Sequence, residues 1–259
     1  HGGDTETAAA IEEHYKPRFA DDELPRSIAG TLLALADKTD TICGYFSVGL
    51  IPSGSEDPFQ LRRQALGVLR IMERADKPVK LETLLETAID NYGAAIIPEE
   101  KRPGLMKQLL DFFDTRQRIY MESRGYAYDV VNAVDFRKLP GIRHAFLCAS
   151  AIASMRDKEE FQNLLEVYTR ISNIMSKSAS GEDFKGNTVA GDLLKEPQEQ
   201  ELYVGIKTLS ASWLSEPSDI DAYKLRISDL FSLTSLAHDF FDKVLVMAGD
   251  PAVRANRLA

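Results

Sequence analysis

The protein has 259 residues, of which 44% are hydrophobic and 27% charged, with a net charge of −9. This is the composition of a soluble globular protein, long enough for one large domain or two ordinary ones; no apolar run approaches the roughly 20 residues that a membrane-spanning helix needs. The acidic balance argues against nucleic acid as a partner of the chain as a whole. Two Cys and four His, spread widely, leave no zinc-ligand spacing.

Helical periodicity dominates from the start. The chain opens at His1 without an initiator Met or a signal-peptide core and stops inside a helical pattern at Asn256-Arg257-Leu258-Ala259, which reads as a portion of something longer. Thr7 to Tyr15 reads as a helix stopped by Pro17. Pro25 to Ile42 reads as another, with Ile28, Leu32, Leu35, Ala36, Thr39 and Ile42 recurring at three and four. Gly44 to Ile51 reads as a short strand or a buried turn, followed by the loop Pro52 to Glu56. Asp57 is the expected N-cap of the next helix, with Pro58 at its first position, running to about Arg74 and ending before Pro78.

Lys80 to Tyr92 reads as a helix closed by Gly93. The breaker cluster Ile97 to Gly104 marks a boundary or hinge. Beyond it, helical patterns span Leu105–Arg124, Asp129–Phe136, Ile142–Arg156, Lys158–Met175, Glu199–Glu216 and Ile220–Val246, with a loop from Ser176 to Asn187. Phe240 to Met247 is apolar on nearly every side and should be buried. Cys43 and Cys148 read as buried free thiols. The expected fold is all-α, two helical domains at 1–104 and 105–259.

Two constellations carry chemistry. Asp37 and Asp40 share a helix face and, with His14, offer donors for a metal or for acid–base work; they equally suit a salt bridge to Lys38 or a local cap. The second is basic. Residues 61–146 hold 15 Lys/Arg against 12 Asp/Glu, whereas residues 1–60 hold 4 against 11 and residues 147–259 hold 12 against 17. At about 100° per residue Arg63, Arg70 and Arg74 fall on one stripe with Arg62 beside it, fit to track phosphates or simply to face solvent. Arg116 and Arg118, with Lys107 and Arg124 around them, give a second such surface. Asp250, Arg254, Asn256 and Arg257 crowd polar groups at a late turn and helix start. No Gly-x-Ser-x-Gly nucleophile motif and no phosphate-binding Gly-rich loop occurs.

Several segments resemble the bacterial glycyl-tRNA synthetase β-subunit family. They are Glu13 to Ala20, Ala34 to Thr41, Asp57 to Arg63, Arg170 to Ile174, Leu194 to Pro197, Phe240 to Val244 and Arg254-x-Asn256-Arg257-Leu258. They come in family order and span essentially the whole chain. The resemblance implies a cytoplasmic α₂β₂ glycine–tRNA ligase whose α subunit holds the active site and uses ATP and magnesium. The β subunit mainly binds tRNA(Gly), with no membrane or DNA partner. By the same resemblance residues 1–104 are HD-like and residues 105–259 form a DALR-like helical anticodon-binding domain. It makes Arg62, Arg63, Arg70 and Arg74 tRNA-binding candidates, together with Lys107, Arg116, Arg118, Arg254 and Arg257.

The chain departs from the family at two points. The family reads Ala-Gly-Asp where this sequence has Ala20-Asp21-Asp22, which bears on the turn there. Of the metal set of HD hydrolases only Asp37 matches, with His14 as a vestigial candidate, and His238-Asp239 lies in the other domain. The expectation is a degenerate domain without catalytic residues, metal or cofactor. The rival readings are a metal-dependent phosphohydrolase using Asp37, Asp40 and His14, and a protein-interaction scaffold.

Overall fold

The computed structural model describes residues 4–54, 56–75, 79–178 and 188–259, and the regular elements among them are all helices. The chain divides into two compact units, residues 1–149 and 150–259.

The first unit begins with α1 (Thr5–Glu13), α2 (Ile28–Ser47) and α3 (Leu61–Arg74). Asp4 caps α1 by accepting from the Thr7 N–H at 2.7 Å. The start of α2 is Ser27 rather than Pro25, because the Ser27 hydroxyl accepts from the Gly30 N–H at 3.0 Å. The Glu13 carboxylate, at the end of α1, accepts in turn from the Ser27 N–H and hydroxyl at 2.9 and 2.6 Å. One cap thus joins two helices.

No strand or buried turn begins at Gly44. The helix runs through it to Ser47, and Gly44 is a close-approach residue: a Cβ there would lie 2.3 Å from the Tyr92 hydroxyl. The helix stops at Gly49, whose φ of 78° suits a residue without Cβ, and the Leu50 N–H closes back on the Tyr45 carbonyl. The start of α3 also differs from expectation. Its first residue is Leu61, and Asp57 caps from further upstream, its two carboxylate oxygens accepting from the Leu61 and Arg62 N–H groups at 2.8 and 2.9 Å.

Helix α4 (Leu81–Ile96) breaks at Gly93, where φ is 66°. A 3₁₀ turn at Glu99–Lys101 leads directly into α5 (Arg102–Ser123). Pro103 is tolerated there because the first turn of a helix has no intrahelical use for its missing N–H. Arg102 pairs with Asp90 of α4 at 2.5 Å, and α5 packs on α3 and α4. The breaker cluster at 97–104 therefore lies inside the first compact unit, and the division falls after Ala149, within α7 (Ile142–Met155). Between them α6 (Tyr128–Ala133) follows Gly125, whose φ of 85° ends α5 where the sequence places the stop.

The core of this unit is set by Ile42, Leu61, Val68, Leu69, Leu85, Leu109 and Phe113, all buried. One cation is buried among these helices. Lys38 lies under the C-terminal end of α1, its ammonium donating to the His14 and Tyr15 carbonyls at 3.1 and 3.4 Å. Its stem rests on Gly67 of α3, where a Cβ would come within 3.1 Å of the Lys38 chain. Burial pushes its pKa down. The Ala20-Asp21-Asp22 turn needs no glycine: among the described non-glycine residues only Gln60 has a positive φ. Asp22 instead locks it, accepting from the Arg18 backbone and guanidinium at 2.7 and 2.9 Å.

The second unit contains α8 (Glu159–Ser178), α9 (Pro197–Ser212), α10 (Ile220–Lys243) and α11 (Pro251–Leu258). The loop expected at 176–187 begins later, since α8 continues to Ser178, and its remainder lies outside the described residues. Helix α10 packs on α8 and α9, closely enough that a Cβ at Gly205 would meet Leu236 at 2.9 Å. It ends at Lys243, so Phe240, Val244 and Val246 are buried while Leu245 and Met247, beyond the helix, are exposed. Asp250 caps α11, and Asn256 exchanges two hydrogen bonds with the Ala190 backbone.

Two predictions follow from these contacts. Lys38→Met leaves two carbonyls at the end of α1 without their donor and should cost about 1–3 kcal/mol, read from the urea midpoint. The Arg18 guanidinium and backbone N–H hold the Asp22 carboxyl well below the usual carboxylate range. Its stabilising effect is therefore present above about pH 4, the ordinary Asp value, and lost as pH falls through the lowered one. Asp22→Asn should lower the melting temperature at neutral pH and flatten its acid limb in a melting series across pH.

Candidate nucleic-acid interface

Helix α3 buries Leu61, Ala65, Val68, Leu69 and Met72, which turns its arginines outward. They do not share one fate. Arg70 donates to the Phe19 and Asp22 carbonyls at 3.3 and 2.9 Å, so it braces the 19–22 turn instead of standing free on the stripe. Arg63 is exposed and, among the described residues, bonds only the Gln60 side-chain oxygen at 2.8 Å. Arg74, in the last turn, is exposed and has no ion-pair partner among the described residues.

Arg62 reaches the Gly54 carbonyl at 2.7 Å and so holds the loop before α3. Close to it stands Arg116 of α5, its guanidinium 6.0 Å from the centre of the Phe112 ring. The Arg116 Nε is buried and has no hydrogen-bond partner among the described residues. Burial, and then the charge of Arg62, push the Arg116 pKa down, while Asp57 acts in the opposite sense. Both Asp57 oxygens already cap α3. Arg62 thus adds positive charge at Arg116 that the Asp57 carboxylate offsets less strongly, a local setting suited to an oxyanion.

Lys107 is exposed on α5 without an ion pair among the described residues. Arg118 differs, being held by Asp114 at 2.8 Å and the Asn132 side chain at 2.5 Å. Arg124 is held by Glu73 at 3.3 Å. Lys101 was not marked by the sequence reading. It is exposed in the 3₁₀ turn before α5, within the breaker cluster that read as a boundary or hinge.

In the second unit Arg254 is half-buried and without an ion pair among the described residues. Arg257 is consumed by structure. Its Nε meets Glu199 at 2.6 Å, with the two side chains only 9% and 2% exposed, and it also donates to the Leu245 carbonyl. Glu199 accepts further from the Lys195 and Glu196 N–H groups, each at 2.6 Å. Burial raises its pKa while these donors, Arg257 foremost, lower it, and the net direction is down.

The acidic constellation is not assembled into a ligand set. His14 directs Nδ1 at the Ile11 carbonyl, 2.5 Å away, and stacks on Tyr15. Asp37 and Asp40 are exposed; Asp40 accepts from the Tyr92 hydroxyl at 3.2 Å, and Lys38 pairs with neither. Among the described residues no group of three or more His, Cys, Asp or Glu side chains is placed to hold a metal ion. Cys43 is buried, and burial followed by the Asp40 charge pushes its thiol up to about 12; Cys148 is only half-buried.

The match to known proteins falls on these same elements. The family profile described as glycyl-tRNA synthetase beta subunit matches residues 1–135. The glycine–tRNA ligase beta subunit of Clostridioides difficile is 34% identical over 259 residues, all of this chain and 36% of the relative. Those of Proteus mirabilis and Alteromonas mediterranea are 36% and 37% identical over 99% and 100% of this chain, again 36% of each relative. The chain therefore spans little more than a third of the length of these relatives.

Arg257→Ala leaves Glu199 buried without its cation and should destabilise the second unit by about 3 kcal/mol, visible as an earlier unfolding transition.

Proposed function

The chain belongs to the glycyl-tRNA synthetase beta subunit family, and from that premise we propose that it is a tRNA-binding portion of a β subunit. The whole enzyme of this reading is an α₂β₂ ligase in the cytoplasm that joins glycine to tRNA(Gly) using ATP. Its α subunit carries the chemistry together with ATP and magnesium. This chain supplies recognition and no catalytic residue. Residues 1–104 are a degenerate HD-like domain, and residues 105–259 read the anticodon in the DALR manner.

The observation that supports the reading is a set of cations without ion pairs, two of which make only short-range bonds, Arg62 to the Gly54 carbonyl and Arg63 to the Gln60 side chain. Arg62, Arg63, Arg74, Lys107 and Arg116 have no ion pair among the described residues, and all lie in the one basic segment of an acidic chain. Arginine forks in that state bind phosphate bidentately, fixing register on the backbone, while stacking and base-edge contacts specify sequence. Arg70, Arg118 and Arg257 act here as braces of the fold that presents those cations.

The test is a filter-binding titration with tRNA(Gly) and an unrelated tRNA at several salt concentrations. Affinity for tRNA(Gly) should fall linearly in log–log form, and Arg63→Gln and Arg116→Gln should each reduce the slope by about one unit or slightly less. Arg118→Gln should leave the slope unchanged. Absence of both salt dependence and preference for tRNA(Gly) would refute the reading.

A further inference from the structure

Helix α2 changes character halfway along. In its C-terminal half Lys38, Thr39, Ile42, Cys43 and Phe46 are buried. In its N-terminal half Ile28 is 81% and Leu32 63% exposed, and Ala29, Leu33 and Ala36 are exposed beside them. Residues four apart stack along a helix, so these form two adjacent rows, Ile28–Leu32–Ala36 and Ala29–Leu33. Thr39, Cys43 and Phe46 continue the first side of the helix and are dry. The same face is wet only where no neighbour reaches it.

Each row ends in an exposed carboxylate, Asp40 on the first and Asp37 on the second. The one lysine of α2 does not offset them, since the Lys38 ammonium is turned under α1 to the His14 and Tyr15 carbonyls. Arg26, just before the helix, is paired with Glu23. The patch is therefore aliphatic with an acidic end, in a stretch where residues 1–60 carry 11 Asp/Glu against 4 Lys/Arg.

We propose that the N-terminal half of α2 docks a protein segment with an aliphatic ridge flanked by lysine or arginine, supplied by the part of the full-length family protein outside these 259 residues. The charge pattern excludes an RNA backbone, which would meet Asp37 and Asp40 directly. The source follows from length: the chain covers 36% of its relatives, so most of such a protein is available to cover the face. A contiguous exposed aliphatic patch of this kind is a docking surface in proteins generally. The proposal rests on family membership and is independent of the tRNA reading.

The experiment follows maleimide labelling of Leu32→Cys in a Cys148→Ser background, with Cys43 protected by burial and its raised thiol pKa. Rates are compared between this chain alone and a full-length family protein carrying this stretch. Labelling should be roughly tenfold slower in the full-length protein, and Asp37→Lys with Asp40→Lys should restore the fast rate. Ala36→Cys, on the same row, gives the same readout where Leu32→Cys perturbs folding. Equal rates in the two proteins overturn the proposal. Slowing with rising concentration of this chain alone, or on adding tRNA alone, assigns the face to a second copy or to nucleic acid and overturns it equally.

Discussion

The first unit depends on how closely α3 can lie on α2, and that distance is set where the Lys38 stem crosses Gly67. Any side chain at 67 would meet the lysine within 3.1 Å, and the lysine cannot easily withdraw because its ammonium is the donor for two carbonyls at the end of α1. A buried amine has a high desolvation cost, and those carbonyls offset it without a partner carboxylate. With α1, α2 and α3 joined at that point, the apolar face of α3 is committed inward. Arg62, Arg63 and Arg74 are then outward by geometry, and α5 brings Arg116 beside Arg62.

Charge within this chain is divided between construction and presentation. Arg18, Arg70, Arg118 and Arg257 spend their donors on local carboxylates and carbonyls and hold turns or helix ends in place. The cations of the proposed interface lie on the elements those braces position. Such a division explains how an acidic protein can still present a basic face. Net charge decides solubility and long-range repulsion, but contact with a phosphate depends on guanidinium groups that have no nearer acceptor. Arg116 comes nearest to that condition, its Nε buried and without a hydrogen-bond partner among the described residues, whereas Arg62 is held by the Gly54 carbonyl.

The helices were legible because their apolar spacing and their stops, at Gly93 and Gly125 in particular, are local properties. What the sequence hid was tertiary. Gly44 looked like a turn glycine because nothing nearby shows that the Tyr92 hydroxyl must pass it. Asp57-Pro58 carried the signature of a helix start, yet the aspartate caps from further upstream and the helix begins at Leu61. Pro98 to Gly104 read as a boundary or hinge, and the structure has Pro103 opening α5. For the basic residues the sequence gives position on a helix face but not engagement. Arg70 shares its stripe with Arg63 and Arg74 and is distinguished from them only by the 19–22 turn, far away in sequence. The recurrence of Ile28 and Leu32 at helical spacing marked a helix, but spacing alone does not show that both side chains are left exposed.

In the proposed function the cations tied neither by an ion pair nor by a bond to a turn distant in sequence, and not the basic residues at large, meet the RNA. Arginine footprinting with phenylglyoxal and mass spectrometry, with and without tRNA(Gly), tests it most directly. Arg62, Arg63 and Arg116 should be protected by tRNA, with Arg70, Arg118 and Arg257 reacting slowly in either state. Unchanged reactivity at the first three, or protection spread evenly over all six, would contradict it.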